Sequence, residues 1–129
     1  MSQTEKRGDQ VAQSDLERLR DDLLKFRAER DWEQFHTPRN LAASVVIEAA
    51  ELLENFQWQR DGEALPEARK ASVSQELADV FIYLVMLAHD LGVDLVDVAR
   101  AKMEDNAKRF PVDETKGRAW SNKPAILGE

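Results

Sequence analysis

Leu41-Ala42-Ala43-Ser44-Val45-Val46-Ile47-Glu48-Ala49-Ala50-Glu51-Leu52-Leu53-Glu54 decides how this chain folds. It contains no glycine or proline and is apolar around nearly the whole of a 3.6-residue repeat. That pattern predicts a helix buried over most of its circumference. Glu48 and Glu51 nevertheless sit within it, three residues apart and so on one face. A second stretch repeats the arrangement: Glu76-Leu77-Ala78-Asp79 runs directly into the apolar segment Val80 to Ala88, with Tyr83 on the Asp79 stripe. Burying four carboxylates without compensation is too costly. Protonation, basic partners or a metal could compensate. Lys and Arg are absent from 41–59 and from 71–99, so ion pairing within these two helices is not available. Four hard oxygen donors suit Mg²⁺, with Mn²⁺ as a substitute, because both take oxygen ligands and keep waters for exchange. One Glu-x-x-Glu pair usually lies on a solvated helix edge. Two such pairs, each embedded in apolar sequence, favour the metal reading.

Outward from these stretches the chain reads as further helices. Ser14-Asp15-Leu16-Glu17 is a capping-box arrangement. Leu16, Leu19, Leu23, Leu24 and Phe26 then recur at helical spacing, predicting a first helix to about Arg30. Thr37 suits an N-cap and Pro38 the first helical position, opening a second helix from Arg39 to about Gln57. Asp61-Gly62 marks a turn. Pro66 reads as the first residue of a third helix that reaches Leu91, where Gly92 can end it in the left-handed conformation. Asp94 can cap a fourth helix running to Arg109, before Pro111. No segment alternates like a strand, and no repeat of fixed period appears. The expected architecture is an all-α four-helix bundle. Residues 1–13 form a polar arm, 14–111 the helical domain, and 112–129 a tail without regular structure.

The composition narrows function. A chain of 129 residues holds one domain. Twenty-five acidic against eighteen basic residues give a formal charge of −7, which argues against binding a nucleic-acid backbone. A phosphate-bearing small molecule stays open, since a divalent cation reverses the local field. The absence of cysteine excludes disulfides, thiolate catalysis and Cys-ligated zinc, and two histidines make a His-rich zinc site a poor fit. The first ten residues lack the apolar segment of a secretory signal. The run Val80 to Ala88 falls well short of the about 20 residues that span a bilayer. No membrane partner and a cytoplasmic location are the expectation.

The residues also resemble a known family. Glu48-x-x-Glu51 followed by Glu76-x-x-Asp79 is similar to the signature of the all-α MazG-like nucleotide pyrophosphohydrolases. Four further segments resemble the dCTP pyrophosphatase branch: Arg30 through Asn40, Glu54 through Trp58, Glu76 through Leu84, and Lys102-x-x-x-Asn106-x-x-Arg109-Phe110-Pro111. The resemblance covers about residues 16 to 115. It implies Mg²⁺-dependent hydrolysis of a deoxynucleoside triphosphate, dCTP or a modified dCTP, to the monophosphate and pyrophosphate, as in nucleotide-pool cleaning. Glu48, Glu51, Glu76 and Asp79 would hold the metal, and Glu48 or Glu51 would serve as general base.

The resemblance further implies a base pocket of Trp32, His36, Trp58 and Tyr83, whose faces stack on a pyrimidine. Lys102 and Asn106 would contact phosphates or sugar. Without it, the aromatics read as core, His36 as a brace for the turn before Thr37, and Lys102, Asn106 and Arg109 as a solvated stripe. Arg109 also suits a helix C-terminus, as does His89. Met86, Met103 and Trp120 read as packing or tail residues. Phe110 replaces a tyrosine common in the branch, and Thr115 through Glu129 departs from it most. Wide apolar arcs predict a homo-oligomer, and the resemblance implies a tetramer built from dimers. The alternatives are the same chemistry on dUTP, a noncanonical purine triphosphate or an alarmone, and a non-catalytic helical interaction module.

Overall fold

Helix-capping chemistry sets where each element begins. The structure, a computed structural model, describes residues 11–118; Trp120 and most of the expected arm and tail lie outside the described residues. Within them are five helices and no strand: α1 (Asp15–Glu29), α2 (Pro38–Glu54), α3 (Glu67–Asp90), α4 (Leu95–Arg109) and α5 (Val112–Thr115). Ser14 Oγ accepts from the Glu17 amide at 3.2 Å, Thr37 Oγ1 from the Asn40 amide at 3.2 Å, and Asp94 Oδ1 from the Asp97 amide at 3.0 Å. Each satisfies a donor that the first helical turn leaves open. Gly92 takes the left-handed conformation after α3, with φ 68°. Asp31 does the same after α1 at φ 52°, a conformation that aspartate tolerates better than most residues.

Three expectations need correction. Pro66 is the N-cap of α3 rather than its first residue. The second helix ends at Glu54, where Asn55 turns the chain and its Nδ2 donates to the Glu51 carbonyl at 3.1 Å. The tail is not wholly irregular: Pro111, with its fixed φ, starts the short α5, whose Thr115 Oγ1 donates to the Pro111 carbonyl at 2.7 Å.

The chain divides at Leu91 and Gly92 into two compact units. In the first, α2 packs along α3 and α1 lies on α3. Leu41, Val85, Met86 and Ala88 are its buried apolar residues. Arg27 of α1 is buried too, and its Nη1 and Nη2 donate to Asp90 Oδ2 and Oδ1 of α3, both at 2.9 Å. By length and composition α3 could cross a membrane. It bears Glu76 and Asp79 and packs against both other helices of the unit. The second unit contains α4 and α5.

The expectation that α2 is buried nearly all round is not met by the single chain. Val46, Ile47 and Leu53 are 68%, 57% and 69% exposed. Among the described residues, the main partner of α2 is α3.

Candidate active site

The α2–α3 packing brings the acidic pairs together. Carboxylate oxygens of Glu48, Glu76 and Asp79 lie within 4.8 Å of one another. Glu51, one turn along from Glu48, acts electrostatically on Glu48 and Glu76 but stands outside that tight trio. Glu48 and Glu76 are half-buried, and Glu51 is exposed. Deep burial of all four, the expectation, is therefore not what a single chain provides.

Even half-burial costs these groups. Desolvation pushes the Glu48 carboxyl up to about 7, and neighbouring Glu51, Glu76 and Asp79 add to that shift. Desolvation also raises Glu76, with Glu51 and Asp79 contributing, while a hydrogen bond with Glu48 offsets part of the shift. With all four ionised, Glu48 Oε2 and Glu76 Oε2 are buried acceptors without a donor among the described residues. Converging anionic oxygens with orphaned lone pairs fit a hard divalent cation. They fit a network of hydrogen bonds poorly, since every member accepts.

Two pockets flank this cluster, each sharing carboxylates with it. The first, about 370 Å³, is lined by Phe26, Arg27, Trp32, His36, Asp79 and Tyr83 among others. Trp32 meets Phe26 edge-on with ring centroids 5.8 Å apart and lies 6.3 Å from the His36 ring. The Arg30 guanidinium caps the other ring at 3.5 Å from the Phe26 centroid. His36 Nδ1 is buried and has no partner among the described residues. Desolvation lowers the His36 pKa, and the Arg27 charge lowers it further. The ring is therefore neutral at pH 7 and presents one donor and one acceptor. The second pocket, about 670 Å³, is polar and contains Glu51, Glu76, Arg69 and Ser72. Arg69 Nη1 is anchored on the Asn55 carbonyl at 2.6 Å.

The expected site residues thus divide. The structure gathers Glu48, Glu51, Glu76 and Asp79 into one cluster, and Trp32, His36 and Tyr83 into one pocket wall. Trp58 is 85% exposed and does not line that wall. Lys102 and Asn106 lie one turn apart on α4, in the second unit, where Lys102 Nζ pairs with Asp105 at 3.7 Å. Sequence reading missed Arg27 and Arg69. Arg27 occupies the apolar stripe of α1, and an arginine in a core-facing position was the available signal.

An acidic cluster that could hold a metal ion thus lies beside an aromatic pocket. The MazG-like family model matches residues 43–122, and the chain belongs to that family. It is 47% identical over 108 residues to dCTP pyrophosphatase 1 of Rattus norvegicus, covering 81% of this chain and 64% of that one. Identity to the Homo sapiens protein of that name is 48% over 100 residues, covering 74% and 59%. The chain therefore spans less than two thirds of the length of these curated relatives. A solved pyrophosphatase from Archaeoglobus fulgidus is 41% identical with a TM-score of 0.74, covering 78% of this chain and 96% of that one.

Proposed function

We propose that this protein hydrolyses a deoxynucleoside triphosphate, dCTP or a modified dCTP, to the monophosphate and pyrophosphate. Its role would be cleaning the cytoplasmic nucleotide pool. The observation that carries this reading is the convergence of Glu48, Glu76 and Asp79, with orphaned oxygens, at the edge of an aromatic pocket of nucleoside size. The names of the similar proteins support the reaction class.

Glu48, Glu51, Glu76 and Asp79 would hold Mg²⁺, or Mn²⁺ in its place, with Glu48, Glu76 and Asp79 the most tightly grouped. A bound divalent cation supplies charge against the phosphate oxygens and makes water more acidic. Glu51 lies outside the tight trio and borders the polar pocket, so it is the better placed of the two glutamates to accept the proton of the attacking water. Trp32 and Tyr83 orient the base by stacking and edge contacts, and the pocket wall keeps water from it. Trp58 joins the substrate in this reading.

Incubation with each of the four dNTPs and dUTP, with Mg²⁺, tests the proposal by product identity. Monophosphate plus pyrophosphate, fastest from dCTP, is expected. Orthophosphate release or no turnover would defeat it, and a preference for dUTP or a purine would keep the chemistry and change the substrate.

We also propose a homo-oligomer, a tetramer in preference to a dimer. Val46, Ile47 and Leu53 on α2 and Leu77 and Phe81 on α3 are exposed apolar residues whose burial between copies is favourable. Size-exclusion chromatography with light scattering at micromolar concentration should give a multiple of the chain mass. A single-chain mass would contradict it.

A further inference from the structure

Arg27 is 6% exposed, yet it belongs to the wall of the aromatic pocket. Both terminal nitrogens are committed to Asp90, at 2.9 Å each. The guanidinium is planar, so this bidentate grip fixes its orientation and directs Nε–H away from that carboxylate. Nε is buried and has no acceptor among the described residues. His36 Nδ1, in the same wall, is likewise buried and unpartnered. Buried donors without acceptors are rare because water cannot compensate them. The remaining wall holds the apolar Leu23, Phe26, Ile82 and Met86 and the oxygen-bearing Asp22, Asp79 and Tyr83, yet none of these accepts from Nε. Asp79 in that wall belongs to the acidic cluster, which places the phosphate-facing end of the pocket.

From this we infer that Arg27 is a specificity-determining residue: pinned by Asp90, it donates its Nε–H to an acceptor on the edge of the bound pyrimidine, a ring carbonyl or ring nitrogen. His36 supplies a second polar contact to the same base. The inference rests on the nucleotide reading given above and adds the residue that reads the base. A cation held by a carboxylate makes a stronger donor than a neutral group, and a site built around such a donor rejects ligands that cannot accept from it.

The test is calorimetric binding of dCMP and of 2-deoxyribose 5-phosphate to the full chain with Mg²⁺, neither of which needs turnover. Wild type should prefer dCMP. Arg27→Met combined with Asp90→Leu replaces the ion pair by apolar groups of similar reach, an exchange that buried pairs often tolerate. This double variant should bind dCMP about 10- to 100-fold more weakly and bind the base-free sugar phosphate as wild type does. Should the double variant fail to fold, Arg27→Lys keeps a cation opposite Asp90 but lacks the Nε–H, and it should show the same selective loss. Undiminished dCMP binding in a folded variant, or equal loss for both ligands, overturns the role of Arg27. A wild type that binds dCMP no better than the sugar phosphate overturns the nucleotide reading itself, and the base contact with it.

Discussion

Glu48→Gln is expected to lower dNTP turnover by at least about 100-fold, because even partners outside the ligand shell typically contribute 10- to 100-fold to metal affinity or activity. Gln keeps the shape of the side chain and removes one anionic ligand from the Glu48, Glu76, Asp79 trio. The helices should stay folded. Glu48 is desolvated and faces other acids that disfavour its charge, so a neutral side chain relieves repulsion in the metal-free protein. Steady-state turnover at saturating Mg²⁺, with thermal melting alongside, checks both halves. Turnover within a few-fold of wild type would remove Glu48 from the site.

The second large effect concerns stability. Asp90→Ala should destabilise the fold by about 3 kcal/mol, because it leaves the Arg27 cation buried without its counter-ion. The lower end of the range for broken buried pairs applies, since the Asp90 side chain is 21% exposed. The effect carries a pH signature. Hydrogen bonds from Arg27 hold the Asp90 carboxyl below its ordinary value of 3.8. The pair's stabilisation is therefore complete above that value and is lost as pH falls through the lowered one. Urea unfolding of wild type and variant at one fixed protein concentration should differ at pH 7 and converge in acid. A pH-independent gap, or one below about 1 kcal/mol, the level of an exposed pair, would show that Arg27–Asp90 does not behave as a buried pair.

The helices were legible because their signals are local. Ser14, Thr37 and Asp94 are side chains that compete for amide protons wherever they stand, and each caps the helix assigned to it. Gly92 marked the end of α3 for the same reason. The acidic cluster was legible from spacing: pairs three residues apart on two apolar helices converge once those helices pack. What escaped was not local. The Arg27–Asp90 pair joins residues far apart in sequence, and neither has a charged neighbour pattern that announces the other. Arg69 was passed over because it reads as one more surface cation near the start of α3. The burial of α2 was overestimated because apolar periodicity states which faces avoid water without stating whether the same chain covers them. Val46 and Leu53 illustrate that gap.

A calorimetric titration with Mn²⁺ and Mg²⁺ at pH 7, run in two buffers of different ionisation enthalpy, tests the four-carboxylate site most directly. Glu48 sits near 7 in the metal-free protein and must be ionised to act as a ligand. Binding at pH 7 should therefore release protons, and affinity should rise as pH climbs through 7. Saturable binding with that proton release, lost in Glu48→Gln, is expected. Absence of binding, or binding that Glu48→Gln leaves unchanged, would contradict it.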